Sequence, residues 1–282
     1  MNLVDALLSG DNLVISGDNL PVLGELRDAS FRLIYIDPPF NTGRVQSRQT
    51  TSVTRSESGS RTGFQGRSYE TIKGLLYSYD DAFADYWAFL EPRLYEAWRL
   101  LDEHGTLYLH LDYREVHYAK VVLDALFGRA SFLNEIIWAY DYGARATKKW
   151  PAKHDTILVY VKDPKKYFFD NTVVDREPYM APGLVTAEKA ARGKLPTDVW
   201  WHTIVSPTGK EKTGYATQKP EGILRRIVQA SSASGDRVLD FFAGSGTLGA
   251  VAAKLDRRYL LIDSNPEAIA IMRARLGVPV AL

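Results

Sequence analysis

A short apolar run that ends in two prolines places the tightest constraint on how this chain can fold. Residues 33–36 (Leu-Ile-Tyr-Ile) are apolar without a break, a pattern typical of a strand buried on both faces. Pro38 and Pro39 must end that strand, because neither can donate a ladder hydrogen bond and each restricts the residue before it. The sequence therefore predicts that the carboxylate of Asp37 and the ring of Phe40 lie at the carboxyl end of a buried strand, the edge at which open α/β sheets bind ligands.

A second predicted strand runs into a glycine-rich turn much later in the chain. Residues 238–247 read Val-Leu-Asp-Phe-Phe-Ala-Gly-Ser-Gly-Thr, and a helical pattern follows. Gly244 and Gly246 permit positive φ angles and a close approach of the backbone to a ligand. Together with Gly249 they also match the string G-x-G-x-x-G, which alone could indicate a nicotinamide enzyme. Residues 37–40 have no role in hydride transfer, which argues against that interpretation.

The two stretches resemble the catalytic and cofactor motifs of the DNA amino-methyltransferases, which move a methyl group from S-adenosylmethionine to an exocyclic nitrogen of adenine or cytosine. Residues 37–40 match the catalytic pattern Asp/Asn/Ser-Pro-Pro-aromatic, and residues 242–246 match the cofactor pattern Phe-x-Gly-x-Gly. The catalytic motif comes first, as in the permuted β class of that family. The resemblance fails mainly at residues 44–75. It implies a circularly permuted Rossmann-like α/β fold, with a mostly parallel twisted sheet and helices on both faces.

The resemblance also assigns roles to individual residues. The predicted catalytic residues are Asp37, Pro38, Pro39 and Phe40. The predicted cofactor-binding residues are Asp18, Asp37, Gln218, Lys219, Asp240, Phe242, Gly244, Ser245, Gly246, Thr247 and Asp263. Asp18 follows a short strand and could equally be a helix N-cap, so both roles stay open. Asp263 ends a predicted strand 19 residues after Gly244, about the distance at which a Rossmann-type acid reaches ribose hydroxyls.

The residue types of the Asp-Pro-Pro-Phe edge suit methyl transfer to an exocyclic amine, a poor nucleophile because its lone pair is delocalised into the ring. The carboxylate of Asp37 and the carbonyl of Pro38 can accept the amine hydrogens and aim the lone pair at the sulfonium methyl. Phe40 offers a stacking face, worth about 1–3 kcal/mol, to a base that has flipped out of the duplex. Asp at position 37 favours adenine N6 over cytosine N4 in relatives.

The composition excludes several other chemistries. The chain has no cysteine, which rules out disulfides, thiolate metal sites and the cysteine nucleophile of C5-cytosine methylation. Its histidines show no metal-ligand spacing, so we predict no metal site. The net charge is only +1, so any DNA-binding surface must be local.

Two basic segments are candidates for that surface. Residues 41–75 carry six Lys and Arg against two Glu, and residues 142–176 carry eight against four Asp. We interpret residues 44–75, which show no periodicity, as a mobile basic loop that closes over DNA; a spacer without a role is the alternative. In the second segment, cations alternate with aromatics such as Trp150, as phosphate contact and base stacking require, although a solvated loop is equally compatible. The predicted DNA-binding residues are Arg44, Arg145, Lys148, Lys149 and Lys153.

Other patterns indicate how the rest of the chain is organised. Residues 80–102 carry apolar side chains at a spacing of three to four and predict one long amphipathic helix. Asp112 and Glu115 predict a capping box for a helix that ends at Phe127. Residues 163–216 are rich in proline and irregular, and in the resembled family the target-recognition region lies here.

We expect residues 1–282 to form a single catalytic domain with insertions. The sequence has no long apolar run and its start does not resemble a secretion signal, so we expect a cytoplasmic protein without a membrane partner. Double-stranded DNA is the expected partner, and relatives suggest a homodimer and a companion restriction endonuclease. The competing functions are N4-cytosine methylation and a DNA-binding modification subunit that does not transfer methyl groups.

Overall fold

A computed structural model describes residues 12–40, 45–55, 61–62, 68–80, 86–141, 143, 145–206, 208–278 and 280–281. The chain divides into two compact units, one formed by residues 1–40 and 85–282 and the other by residues 41–84. Within the described residues, no helix combines the length and apolar character that a bilayer crossing requires.

The chain begins with β1 (Leu13–Ser16), α1 (Asn19–Glu25) and β2 (Phe31–Ile36). The smaller unit holds β3 (Val45–Arg55), β4 (Arg61–Thr62) and β5 (Ser68–Asp80). The larger unit continues with α2 (Tyr86–Leu100), β6 (Leu101–Leu111), α3 (Val116–Phe127), β7 (Phe132–Ala139), β8 (His154–Val161), α4 (Ala187–Arg192) and β9 (Val199–Trp201). It ends with α5 (Glu221–Ser231), β10 (Arg237–Asp240), α6 (Thr247–Lys254), β11 (Arg258–Asp263), α7 (Pro266–Leu276) and β12 (Val280–Ala281).

The described strands of the larger unit form one sheet in the order β12-β1-β11-β10-β2-β6-β8-β7-β9. Neighbours from β12 to β6 are parallel, whereas β8 runs antiparallel to both β6 and β7. From β10 the chain passes through α6 to the neighbouring β11, and β6, the next strand of this sheet after β2, lies on the other side of β2. The strand order therefore reverses between β10 and β2, which is the switch point at which open α/β sheets bind ligands.

Strand β2 runs through the core of this sheet. Leu33 and Tyr35 belong to a buried cluster that includes Ile223 and Ile227 of α5, while Ile34 and Ile36, on the other face, are fully buried as well. Because successive side chains of a strand point to opposite faces, both faces of β2 are covered. The predicted doubly covered strand and the predicted α/β fold class are confirmed.

The predicted bounds of one helix and the predicted capping of another are wrong. The helix predicted over residues 80–102 is α2, which covers only Tyr86–Leu100, because Asp80 ends β5 and Leu101 pairs with Phe31 as the first residue of β6. The capping box is not formed: α3 begins at Val116, and Glu115 makes no side-chain capping bond. Asp112 instead accepts the backbone N–H and the guanidinium of Arg114.

The two segments expected to be irregular contain some regular structure. In the smaller unit, β3 and β5 pair antiparallel, so the absence of periodicity at residues 44–75 did not exclude strands. The mobility of that segment and its role in DNA binding stay predictions. Within residues 163–216, the short helix α4 is capped by Thr186, and β9 pairs with β7 at the end of the sheet.

Candidate active site

The two predicted motifs lie on neighbouring parallel strands. Leu33 of β2 pairs with Val238 of β10, and Ile34 pairs with Leu239. Because the strands run in the same direction, the Asp-Pro-Pro-Phe segment and the glycine-rich turn leave the sheet at the same edge, at its switch point. Residues 37–40 and 242–246 therefore lie side by side.

Asp37 has one engaged and one available carboxylate oxygen. Its Oδ2 lies 3.0 Å from Nζ of Lys219. Its Oδ1 is buried and has no hydrogen-bond partner among the described residues. The same Lys219 ammonium lies 4.8 Å from the ring centroid of Phe40, so carboxylate, cation and ring form one compact group. A buried acceptor without a donor is costly, and an incoming N–H group would satisfy it.

Behind this group, a chain of hydrogen bonds joins β2, β6, β8 and the residue that follows β7. The Tyr35 hydroxyl lies 2.8 Å from Nδ1 of His110, whose Nε2 lies 3.2 Å from Oδ2 of Asp155. The Tyr140 hydroxyl donates to Oδ1 of the same carboxylate at 3.0 Å. His110 is fully buried, and its ring centroid lies 6.0 Å from that of Phe40. The chain therefore supports the aromatic side of the Asp-Pro-Pro-Phe edge.

Burial and nearby charges shift the pKa values of two groups in this hydrogen-bond network. Burial, reinforced by the charge of Asp37, holds the pKa of the Tyr35 hydroxyl well above its usual value. Burial alone would raise the pKa of Asp155, but the hydrogen bond from His110 and the nearby charges of His110 and Lys219 lower it overall. Tyr35 thus keeps its proton, and Asp155 is ionised and accepts hydrogen bonds from Nε2 of His110 and from the Tyr140 hydroxyl. Sequence reasoning missed the partners of His110.

The glycine-rich turn after β10 is held by two carboxylates. The N–H of Phe242 donates to Oδ1 of Asp240 at 3.0 Å, and the N–H of Gly244 donates to Oδ2 of Asp263 at 2.7 Å. Gly244 and Gly246 have φ angles of 50° and 70°, the positive values predicted from the sequence. The turn therefore depends on glycine and on both acids for its shape.

Asp37, Asp240 and Asp263 form an acidic group at this edge, and the charges of Asp37 and Asp263 act on the pKa of Asp240. Burial, followed by the charges of Asp37 and Asp263, holds the pKa of Asp240 well above its usual value. Burial also raises the pKa of Asp263. Lys219 is the cation that pairs with Asp37, and the described residues place no ion pair on the other two acids. A ligand with positive charge fits such an acidic edge, and S-adenosylmethionine carries both a sulfonium and an ammonium group.

Ser245 and Thr247 connect the turn to the segment that carries Lys219. The Thr247 hydroxyl donates to the Lys219 carbonyl at 3.1 Å, and the Ser245 hydroxyl lies 3.1 Å from that of Thr247. Arg275 of α7, which the sequence did not single out, donates to the Ser245 carbonyl and to the Thr247 hydroxyl. Ser245 and Thr247 are buried, so the contacts that the structure gives them are internal to the protein.

Asp18 is a helix N-cap, which confirms one of its two predicted roles. Its Oδ1 accepts the N–H of Leu20 and pairs with the buried Arg93 of α2 at 2.8 Å. Arg93 also donates to the side chain of Asn19, which in turn donates to the Phe241 carbonyl at 2.6 Å. This network ties the loop after β1 to the residue that precedes the glycine-rich turn. Neither Arg93 nor Asn19 had a sequence motif that would identify it.

Gln218 is buried, and its amide bonds lie within its own segment. Its Oε1 accepts the N–H and the hydroxyl of Thr213, both at 2.8 Å, and its Nε2 donates to the Glu211 carbonyl at 2.6 Å. These bonds shape the loop that delivers Lys219 to Asp37. A direct contact between Gln218 and the cofactor stays a prediction.

The predicted DNA-binding residues are only partly within the described structure. Arg44 lies outside the described residues. Arg145, Lys148 and Lys149 are exposed and Lys153 is half-buried, and none of the four forms an ion pair with an acid that the structure describes. They lie between β7 and β8, which meet at the edge that also carries Asp37, since β8 is antiparallel to its neighbours. As for metals, no group of three or more potential ligands occurs in the described part of the chain.

Comparison with known proteins places this site in a family. A family model described as DNA methylase, of the N6/N4 type, matches residues 31–274. The type II methyltransferase M.HpaI of Haemophilus parainfluenzae is 31% identical over 268 residues, which are 94% of this chain and 74% of the relative. The DNA adenine methyltransferase YhdJ of Escherichia coli is 31% identical over 258 residues, which are 88% of this chain and 77% of the relative.

Solved structures agree on the fold. The complex of M1.HpyAVI with SAM aligns with a TM-score of 0.60 and 19% identity, over 94% of this chain and 99% of that protein. The cytosine-N4-specific PvuII DNA methyltransferase aligns with a TM-score of 0.64 and 15% identity, over 94% of this chain and 86% of that protein. With the family match across most of its length, this chain belongs to the N6/N4 DNA methylase family.

Proposed function

We propose that this DNA methyltransferase acts on the N6 amino group of an adenine that has flipped out of double-stranded DNA. The observation that carries the proposal is Oδ1 of Asp37, a buried acceptor for which the described residues supply no donor. It lies at the carboxyl end of β2, next to the glycine-rich turn that follows β10. S-adenosylmethionine is the cofactor, and when bound it supplies an electrophilic methyl group on a positively charged sulfur.

Asp37 is proposed to accept a hydrogen of the target amine. Its Oδ1 is available for that bond, whereas its Oδ2 is held by Lys219 at 3.0 Å. A carboxylate in an ion pair is a charged acceptor, and charged acceptors make stronger hydrogen bonds than neutral ones. Together with the carbonyl of Pro38, Asp37 would hold the amine nitrogen with its lone pair directed away from the ring. Its main contributions are orientation and preorganised charge.

Phe40 is proposed to stack on the flipped base. Its ring packs against the buried His110, and hydrogen bonds with Tyr35 and Asp155 hold His110 in position. The stacking face is therefore held in place before the base arrives. Pro38 and Pro39 restrict the backbone between Asp37 and the ring. A rigid site lowers the entropy cost of aligning the base, and this supports a function in positioning.

The cofactor is proposed to lie along the edge formed by Asp18, Asp240, the glycine-rich turn and Asp263. Asp263 bonds two backbone N–H groups, of Gly244 and Asn265, and in this proposal its carboxylate also accepts ribose hydroxyls. Asp37 supplies negative charge for the sulfonium and ammonium groups, and the approach of these cations favours ionisation of Asp240 and Asp263, whose pKa values are raised without the cofactor. Ser245 and Thr247 contribute by holding the turn, through the bonds that they make within the protein.

Adenine is favoured over cytosine for two reasons. The first residue of the catalytic motif is Asp37 rather than serine, as expected for an adenine enzyme. In addition, one relative at 31% identity across most of both chains is named a DNA adenine methyltransferase. The cytosine-N4-specific PvuII enzyme has the same fold but only 15% identity, so it carries no information about the base.

The experiment that tests the base is direct. Plasmid DNA is incubated with the protein and S-adenosylmethionine that carries an isotopically labelled methyl group, then digested to nucleosides and analysed by mass spectrometry. We expect N6-methyldeoxyadenosine to be the only labelled nucleoside. Labelled N4-methyldeoxycytidine would overturn the adenine assignment, and the absence of any labelled nucleoside would favour a binding subunit without methyl transfer.

Further parts of the proposal concern partners. We propose that Arg145, Lys148, Lys149 and Lys153 contact DNA phosphates and that residues 163–216 contribute to target recognition, because both segments adjoin strands at the sheet end formed by β7, β8 and β9. A homodimer and a companion restriction endonuclease are also proposed. Gel filtration with light scattering would test the dimer.

A further inference from the structure

Trp150 is an exposed aromatic residue within the basic segment between β7 and β8. Its side chain is 95% exposed, although tryptophan is among the side chains that gain most from burial. Lys148 and Lys149 precede it directly and Pro151 follows, and both lysines are exposed. A large apolar ring displayed among cations is typical of a surface that meets a partner with negative charge and stackable rings.

The position of the segment connects Trp150 to the catalytic edge. The N–H of Tyr140 donates to the Lys153 carbonyl at 2.9 Å and closes residues 141–152 into a loop. At the base of this loop the Tyr140 hydroxyl bonds Asp155, which bonds His110, the residue that supports Phe40. Trp150 is three residues from Lys153, so its Cα lies within about 11 Å of the loop base.

Base flipping has a free-energy cost that an exposed aromatic side chain can lower. Extrusion of a nucleotide leaves a gap in the duplex and costs a few kcal/mol of stacking and pairing. Apolar side chains that enter a base stack recover part of that cost by stacking on the bases that border the gap. A rigid indole, fully exposed and carried by a basic loop at the catalytic edge, has the size and the chemistry for this role.

We propose that Trp150 inserts into the duplex and fills the gap left by the flipped nucleotide, while Arg145, Lys148 and Lys149 contact the adjacent phosphates. This inference rests on the proposed function, because only an enzyme that flips its target opens such a gap. The occupant of the surface is duplex DNA rather than an acidic protein, since the loop is continuous with the edge that holds Asp37 and Phe40.

The test uses a duplex with the methylation site, which is found by mapping modified positions, and with 2-aminopurine in place of the target base. Fluorescence of 2-aminopurine rises when the base leaves the stack. We expect Trp150→Ala to lower the ratio of flipped to stacked base at least about fivefold, the equivalent of ~1 kcal/mol of stacking. Trp150→Phe should retain most of the flipping.

Three comparisons separate insertion from a general effect. Tyr95→Ala removes a half-exposed aromatic of α2, outside both the basic segment between β7 and β8 and residues 163–216, and it should behave as the wild type. Trp150→Ala should bind a duplex without the site as tightly as the wild type, whereas removal of both Lys148 and Lys149 should weaken binding to both duplexes. Because the Trp150 side chain is exposed, its loss should leave the melting temperature unchanged.

The outcomes distinguish this inference from the proposed function. Wild-type protein that methylates no DNA would overturn both. Wild-type methylation that Trp150→Ala leaves unchanged in KM, kcat and 2-aminopurine signal would overturn the insertion alone. Equal weakening of both duplexes by Trp150→Ala would also overturn it, because the residue would then act as a contact that does not depend on flipping.

Discussion

Asp37 and Asp240 are neighbouring carboxylates with different environments. Asp37 has a cationic partner in Lys219, and one of its oxygens stays available. Asp240 is buried and bonds the Phe242 N–H, and burial together with the charges of Asp37 and Asp263 holds its pKa well above the usual value. One carboxylate is therefore suited to accept a substrate hydrogen, while the other favours its neutral form and shapes the cofactor turn.

Asp240→Asn tests this difference through stability. A carboxyl group whose pKa is raised in the folded state contributes stability that is fully present below its unfolded pKa, about 3.9, and is lost as the pH rises through the folded pKa. Asparagine does not ionise and can still accept the Phe242 N–H. Without cofactor, we expect Asp240→Asn to melt at a higher temperature than the wild type at pH 8, with a smaller difference near pH 4.

The control for this prediction is Asp141→Asn, which changes an exposed aspartate and should shift the melting temperature little at either pH. The account of Asp240 would be contradicted by a lower melting temperature of Asp240→Asn at pH 8. A difference from the wild type that does not depend on pH would contradict it as well.

Among the elements, the glycine-rich turn was predictable and several helix ends were not. Gly244 and Gly246 have the expected positive φ angles because a turn between β10 and α6 requires them. The apolar spacing of residues 80–102 predicted one helix, but Leu101 pairs with Phe31 instead. A leucine has the same burial requirement in a helix and in a strand, so spacing alone could not locate this boundary.

The packing of Gly246 against α7 gives a prediction about the stability of the glycine-rich turn. A Cβ on Gly246 would lie 2.7 Å from Cγ of Met272 in α7, whereas a Cβ on Gly277 would meet nothing within 4 Å. Both glycines have positive φ, at 70° and 65°. Substitution by alanine should therefore cost about 1 kcal/mol at either position for the backbone, and about 1–3 kcal/mol more at Gly246 for the overpacked core.

Urea unfolding of Gly246→Ala and Gly277→Ala measures the two costs, and Gly277→Ala serves as the matched control. We also expect S-adenosylmethionine to raise the melting temperature of Gly246→Ala less than that of Gly277→Ala, because a displaced turn binds the cofactor more weakly. Equal losses of unfolding free energy would show that the turn does not depend on its contact with α7.

At the scale of the whole molecule, the sequence predicted strands that end in the catalytic motif and in the cofactor motif. It did not predict the hydrogen bonds that lie behind them. Residues 37–40 and 242–246 could be brought together by a general rule, because both follow strands and ligands bind at the carboxyl edge of α/β sheets. The contact of His110 with Asp155 required the antiparallel insertion of β8 between β6 and β7. That pairing joins distant segments and leaves no local pattern in the sequence.

The charge distribution of the molecule predicts how DNA binding depends on salt. The net charge of +1 leaves local clusters to hold the phosphates. Each lysine that neutralises a phosphate steepens the plot of log K against log salt by about 0.9. Substitution of both Lys148 and Lys149 by alanine should therefore flatten that slope by about 1.8.

Arg27→Ala combined with Arg258→Ala is the matched control for this measurement. It removes the same charge from exposed positions before β2 and at the start of β11, outside both proposed DNA-binding segments, and should leave the slope close to that of the wild type. Fluorescence anisotropy over a series of salt concentrations gives both slopes. Equal flattening by the two double variants would contradict a local DNA surface at residues 145–153.

The most direct test of the central claim is the single-turnover rate of methyl transfer to DNA by Asp37→Ala. The control is Glu25→Ala, which removes an exposed carboxylate at the end of α1, away from the proposed catalytic, cofactor and DNA-binding residues. Because Asp37 supplies preorganised charge at the reacting nitrogen, we predict a loss of at least about 100-fold, with the control at the wild-type rate. A rate for Asp37→Ala within a few fold of the wild type would contradict the account.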